Sequence, residues 1–266
     1  MKKKKEEKKE VINLKDVFKY YQMGDVTVKA VDGIDISINQ GDFIAIMGPS
    51  GSGKSTSMNL VGSLDVPTKG HIFLDKEDIS QLTESELAQI RGKKIGFVFQ
   101  SFNLISNLTV KENVMLPMMF QGMNLYEREA VAEELLKKVE LNDRADHYTN
   151  QISGGQMQRV AIARALANDP EVILADEPTG NLDTKTGIKV MEFLQQLNKE
   201  GKTIIMVTHE PELAEEYADI VYWLRDGKVE KITKRKNGFK IEKEEKKLRK
   251  INKKISEKKE KKKFRK

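Results

Sequence analysis

The stretch Phe43-Ile44-Ala45-Ile46-Met47-Gly48-Pro49-Ser50-Gly51-Ser52-Gly53-Lys54-Ser55-Thr56 decides how the rest of the chain is read. Its first five residues are continuously apolar, as in a parallel strand buried on both faces. Residues 48–55 then match G-x-x-x-x-G-K-[ST] in full, and residues 55–63, with Met58, Leu60 and Val61 apolar, read as a helix. In that setting glycines let backbone N–H groups turn inward around phosphate oxygens, and the helix start adds the positive end of its dipole. Lys54 is placed to reach β- and γ-phosphates, and the Ser55 hydroxyl to ligate Mg²⁺. A Gly/Ser turn with an incidental lysine is the simpler account; the strand before and the helix after argue against it.

Working outward, residues 11–38 alternate apolar and polar (Val11, Ile12, Leu14; Val26, Val28; Ile34, Ile36, Ile38), which predicts short antiparallel strands. A turn at 67–70 leads to a short strand at 71–74, and Thr83 with Glu86 three residues on opens a helix through Leu87 and Ile90. Buried strands are predicted at 95–99, 171–175 and 203–207. Between the first two, about 108–168 reads as mostly helical, with 127–140 the clearest amphipathic stretch. A hairpin follows from 220–224, the Asp226-Gly227 turn and Val229. Alternating strands and helices imply an α/β protein with a parallel sheet and an inserted helical subdomain.

Carboxylates stand at the strand ends. Asp176 closes 172–175, where a carboxylate meets solvent at the carboxyl edge of the sheet and can hold a metal. Glu177 follows and points elsewhere, free to polarise or deprotonate a water; Pro178 stops the strand. Gln100 and His209 also end strands. Gln100 reads as a metal or water contact or as a solvated cap, and His209 as a γ-phosphate sensor or a surface histidine.

The 266 residues suffice for one large domain or a domain with an insertion. Only 38% are hydrophobic, and the ends explain why. Residues 1–10 hold six Lys against three Glu, and 231–266 hold nineteen Lys/Arg against five Glu, leaving 11–230 acidic. With no cysteine there is no disulfide or thiolate metal site. No apolar run approaches a membrane span, and the N-terminal lysines lack the hydrophobic stretch of a signal peptide, so the expectation is a soluble cytoplasmic protein.

Ser153-Gly154-Gly155-Gln156, lying between the phosphate loop and Asp176-Glu177, resembles the signature of the ABC ATPases, and the resemblance covers about 11–230. It implies a P-loop NTPase (RecA-like) fold: a mostly parallel sheet core, an N-terminal antiparallel β subdomain and an α-helical signature subdomain at about 101–168. Residues 1–10 and 231–266 flank it as a basic arm and a basic tail. The resemblance implies ATP and Mg²⁺ as ligands. It implies an ATP-dependent homodimer in which the 153–156 helix start faces the γ-phosphate held by a second copy; Ser153 suits the N-cap. Tyr21, or its neighbour Tyr20, resembles the aromatic that stacks on adenine, with core filling the alternative. Asp183, in Gly180-Asn181-Leu182-Asp183, resembles a contributor to the dimer seam. Stretches such as 64–75 and 91–118 are similar to the lipoprotein-release, macrolide-efflux and cell-division branch, whose ATPases work with a separate permease at the cytoplasmic face of the membrane. A soluble ABC ATPase acting on ribosomes or nucleic acid is the alternative; a single cassette without a long coiled-coil insertion counts against it.

Phe102, Leu104, Ile105 and the methionines Met115, Met118, Met119 and Met123 suit either an adaptable groove for a permease helix or the subdomain's own core. In the tail, Ile241, Leu248 and Ile255 recur seven apart with Ile251 between them. A solvated extension, an anionic-lipid contact and a nucleic-acid arm all remain open for it.

Overall fold

Strands β1 (Glu10–Met23) and β2 (Val26–Asn39) form one long antiparallel hairpin turning at Gly24 in the computed structural model, which describes residues 9–235 and the backbone of 241–242. The expected short strands are thus two of 14 residues each. Register shifts explain the broken alternation: between Leu14 and Val17 the strand bulges, with Asp16 at φ 48. The basic stretch 1–8 and the tail stripe of Ile241, Leu248, Ile251 and Ile255 lie outside the residues whose side chains are described.

All five residues of β3 (Phe43–Met47) are buried. Helix α1 (Lys54–Val61) follows, then β4 (Lys69–Leu74) and β5 (Glu77–Asp78), which join β1 and β2 in an antiparallel sheet of order β2-β1-β4-β5. Helix α2 (Glu84–Lys94) opens on the predicted capping box of Thr83 and Glu86 and runs into β6 (Ile95–Val98). Three helices come next: α3 (Val110–Phe120), α4 (Leu125–Lys138) and α5 (Gly154–Leu166). The chain returns through β7 (Val172–Asp176), α6 (Thr184–Lys199), β8 (Thr203–Thr208), α7 (Pro211–Tyr217), β9 (Ile220–Arg225) and β10 (Lys228–Arg235), with a short β11 (Ile241–Glu242).

The second sheet has the order β11-β10-β9-β3-β8-β7-β6, and β9, β3, β8, β7 and β6 run parallel. Its inner strands are covered on both faces, as their composition predicts. Ile44, Ile46, Leu174 and Ile205 pack with α1 and the antiparallel sheet, while Phe43, Ala45, Ile173 and Ile204 pack against α6 and α7. A third core joins α3, α4 and α5 through Val110, Val114, Met118, Leu136 and Val160. Two of the four methionines considered for a docking groove belong to it: Met115 and Met118 are buried, because they share an inward face of α3 with Val114. Met119 and Phe120 point outward.

Candidate active site

Because β3, β8 and β7 are parallel neighbours, their carboxyl ends lie side by side. β3 delivers the glycine loop, β7 ends on Asp176, and His209 follows β8. Tyr21, Val28, Ser50, Gly51, Gly53, Lys54, Ser55, Thr56, Asp176, Glu177 and His209 line one cavity of about 660 Å³. Residues as far apart in sequence as Tyr21 and His209 thus share one wall.

The loop is pressed onto neighbouring backbone. A Cβ on Gly48 would come 2.2 Å from the Leu224 carbonyl oxygen, and one on Gly53 would come 2.3 Å from that of Ala30. Gly53 is also the N-cap of α1 at φ 96, and it offers no side-chain cap, whereas Thr83, Thr109, Asn124, Ser153 and Asp183 cap the next five helices. The first N–H groups of α1 are therefore left for another acceptor. Lys54 Nζ donates to the Gly48 and Pro49 carbonyls at 2.8 and 2.9 Å. The buried Ser52 hydroxyl has no partner among the described residues. Uncapped donors, a lysine whose hydrogen bonds among the described residues go to its own loop, and an orphaned hydroxyl suit a bound phosphate chain.

Burial pushes the Asp176 carboxyl up; the charge of Glu177 adds to this and Lys54 opposes it. A divalent cation held by Asp176 and Ser55 would relieve that desolvation, so the donor set fits Mg²⁺. The sign of the pH effect follows from linkage. A raised carboxyl favours the ligand-free fold below the ordinary carboxylate value, and that benefit disappears as pH rises through the raised value. Asp176→Asn is therefore expected to raise the ligand-free melting temperature at pH 7.5 by roughly 1–3 °C and to leave it unchanged at pH 3. Equal melting of the two proteins at pH 7.5 would contradict this.

Glu177 sits in the left-handed region at φ 43, with its N–H donating to the Val207 carbonyl at 2.8 Å. That turn aims its carboxylate at His209, whose Nδ1 lies 2.9 Å from Glu177 Oε1. Tyr21 lines the cavity, and its hydroxyl donates to Asp65 at 2.9 Å. Tyr20 turns away and donates to Asp32 at 2.8 Å. Gln100 lies against Gly180, outside the residues lining this cavity.

Ser153, Gly155 and Gln156 line a different cavity, of about 460 Å³, with Arg159, Thr186 and Lys189. Ser153 caps α5 as predicted, accepting from the Gln156 N–H while the Gln156 side chain accepts from the Ser153 N–H. Gly155 is small for a further reason: a Cβ there would come 2.4 Å from Thr186 Cγ2. Gly154 has ordinary contacts only. Asp183 caps α6 and accepts from the Thr186 N–H and hydroxyl at 3.1 and 2.6 Å.

Two anchoring residues escape the sequence reading. Buried Asn113 binds the carbonyls of Ile105, Leu108 and Thr109, and Arg164 binds those of Phe102 and Asn103. They pin the segment after Gln100, in which Phe102 and Asn103 both have positive φ. A polar residue at the core position of an apolar helical pattern was the available signal for Asn113.

Fold and site together define an ATP-binding cassette, and the chain belongs to the ABC transporter family, whose sequence profile matches residues 31–180. It is 52% identical over 227 residues to an ABC transporter ATP-binding protein of Thermotoga maritima, a match covering 85% of this chain and 97% of that one. It is 49% identical over 219 residues to the macrolide export ATP-binding/permease protein MacB of Brucella melitensis, covering 82% of this chain and 34% of MacB. The fold is similar, at a TM-score of 0.78 and 48% identity, to the ATP-binding cassette MJ0796 in a dimeric post-hydrolysis state bound to ADP and Pi, with 85% of this chain and 99% of that one covered. MJ0796 comes from Methanocaldococcus jannaschii.

Proposed function

We propose that the chain hydrolyses ATP as one half of a nucleotide-closed homodimer and thereby drives a separate membrane permease. One observation carries this reading. The phosphate loop, Asp176, Glu177 and His209 share one cavity, while the helix tip at Ser153 opens into another. Each nucleotide would therefore lie between the loop of one copy and the signature tip of a second. The dimeric form of MJ0796 supports the arrangement.

In this reading Tyr21 stacks on the adenine. The N–H groups at the start of α1 and Lys54 hold the phosphates. Mg²⁺, when held by Ser55 and Asp176, supplies positive charge against the phosphate oxygens. Glu177 Oε accepts a proton from the water that attacks the γ-phosphorus, and the bond from that phosphorus to the ADP oxygen breaks. His209 fixes the carboxylate's aim through the contact at 2.9 Å. Asp183 orders the loop ahead of α6 at the seam between copies. Gln100, held against Gly180, is left out of this set.

The permease would seat at a groove of about 270 Å³ between α2, β6, α3 and α5, lined by Arg91, Phe97, Phe99, Pro117 and Arg164. It adjoins a second groove edged by Phe120, which is 74% exposed. MacB joins an ATP-binding part and a permease in one chain, which favours a permease as the occupant here. No helix of the described residues is long and apolar enough to cross a membrane. Affinity purification from native membranes, with photo-crosslinking at position 120, should recover an integral membrane protein; crosslinks to soluble proteins alone would refute the assignment.

The tail beyond 235 carries sixteen Lys/Arg against five Glu, and each such cation near an anionic bilayer adds about 1 kcal/mol. It therefore suits a contact with acidic lipid beside the permease. Deleting 236–266 is expected to spare basal ATPase and to reduce binding to phosphatidylserine liposomes at low salt. Undiminished liposome binding would remove this role.

A further inference from the structure

Gln158 is fully buried on α5, five residues beyond the Ser153 cap, and its Nε2 donates to the Pro178 carbonyl at 2.7 Å. Its Oε1 has no partner among the described residues. An amide in a core position with half its hydrogen-bonding capacity unused destabilises that core relative to an apolar side chain. The bond it does make therefore calls for a reason.

That carbonyl belongs to the residue directly after Glu177. Proline has no N–H, so the carbonyl is the only backbone polar group Pro178 can use. The surrounding turn is held from several sides. The Glu177 N–H donates to Val207 on β8, the Gly180 N–H donates to the Glu177 carbonyl, and the Thr179 hydroxyl meets Glu210 at 3.1 Å. Gln158 adds a tether from α5. Without it, one side of a turn that already holds Glu177 at φ 43 is released.

We infer that Gln158 is a positioning residue that couples the signature tip to the carboxylate of the same chain. Its side chain links the helix that starts at Ser153, about 7–8 Å along the axis, to the turn that aims Glu177. Because the tip faces the nucleotide held by the second copy, the fit at one site sets the carboxylate at the other. This rests on the dimeric reading above and on Glu177 accepting the proton.

The test is steady-state ATPase over a range of ATP concentrations for Gln158→Met, which keeps the shape and removes the donor. The maximal rate should fall about 10–100-fold, the half-saturating ATP concentration should stay within about twofold, and the Hill coefficient should move toward one. In a Glu177→Gln background the same change should cost less than about twofold, since both act through one group. Gln158→Glu gives a second readout should the Met variant fold poorly. Protonated, its O–H can donate to the Pro178 carbonyl; ionised, it cannot. Its rate should therefore approach wild type at low pH and fall as pH rises, beyond any change in wild type. Equal losses from Gln158→Met in both backgrounds, or a wild-type rate for it, would overturn the role of Gln158. A wild-type rate for Glu177→Gln alone would instead overturn the assignment of Glu177.

Discussion

Glu177→Gln is expected to slow ATP turnover by about 10²–10⁴-fold, the range for loss of a general base, and to leave ATP-bound dimers that persist. The amide has the same shape and keeps the turn, whose φ of 43 is held by the bond to the Val207 carbonyl. It cannot accept the proton. It can still meet His209 by offering its carbonyl oxygen to Nδ1, so the local packing survives. Loss of turnover should come without loss of nucleotide affinity, and slowed hydrolysis should trap the closed state. Phosphate release measures the first effect, and light scattering with saturating Mg-ATP measures the second. Monomers alone under those conditions would sink the dimeric reading.

Gly53→Ala is the second large effect. The residue needs φ 96, and the added Cβ would lie 2.3 Å from the Ala30 carbonyl oxygen. A left-handed conformation costs a residue with a Cβ about 1–2 kcal/mol, and no rotamer can relieve a collision with main chain. The loop must lift from β2, carrying the start of α1 away from where the proposed phosphates would lie. The melting temperature should fall by about 5 °C or more, and Mg-ATP affinity should fall at least about tenfold. Gly51→Ala provides the control, since Gly51 has φ 76 but nothing within 4 Å of its Cβ position. If the two variants were equally impaired, the contact with Ala30 would not matter.

Much of the site is legible locally. The apolar run 43–47, the glycine pattern and the Ser153 cap depend on neighbours within a turn or two, and each appears where its spacing puts it. The predicted cap at Thr83 follows the same rule, and the structure adds caps of the same spacing at Thr109 and Asn124 that were not read from the sequence. Asymmetries between similar residues were less legible. Tyr20 and Tyr21 alternate on one strand, and only the bulged register of β1 decides which of them lines the cavity. Met115, Met118 and Met119 are chemically alike; the side of α3 that meets α4 and α5 separates core from surface.

By itself the sequence determined the strand–loop–helix with its glycine pattern, the acidic pair behind it and the capped helix start at Ser153, because dihedral freedom, capping and strand composition act over a few residues. Tertiary structure alone decided that β8 lies between β3 and β7, that His209 therefore meets Glu177, and that the signature tip opens into a cavity of its own. Periodicity says which face of an element is buried but not what covers it. That depends on pairings such as Phe43 with Ile204 and Val172 with Thr203, which no local pattern encodes.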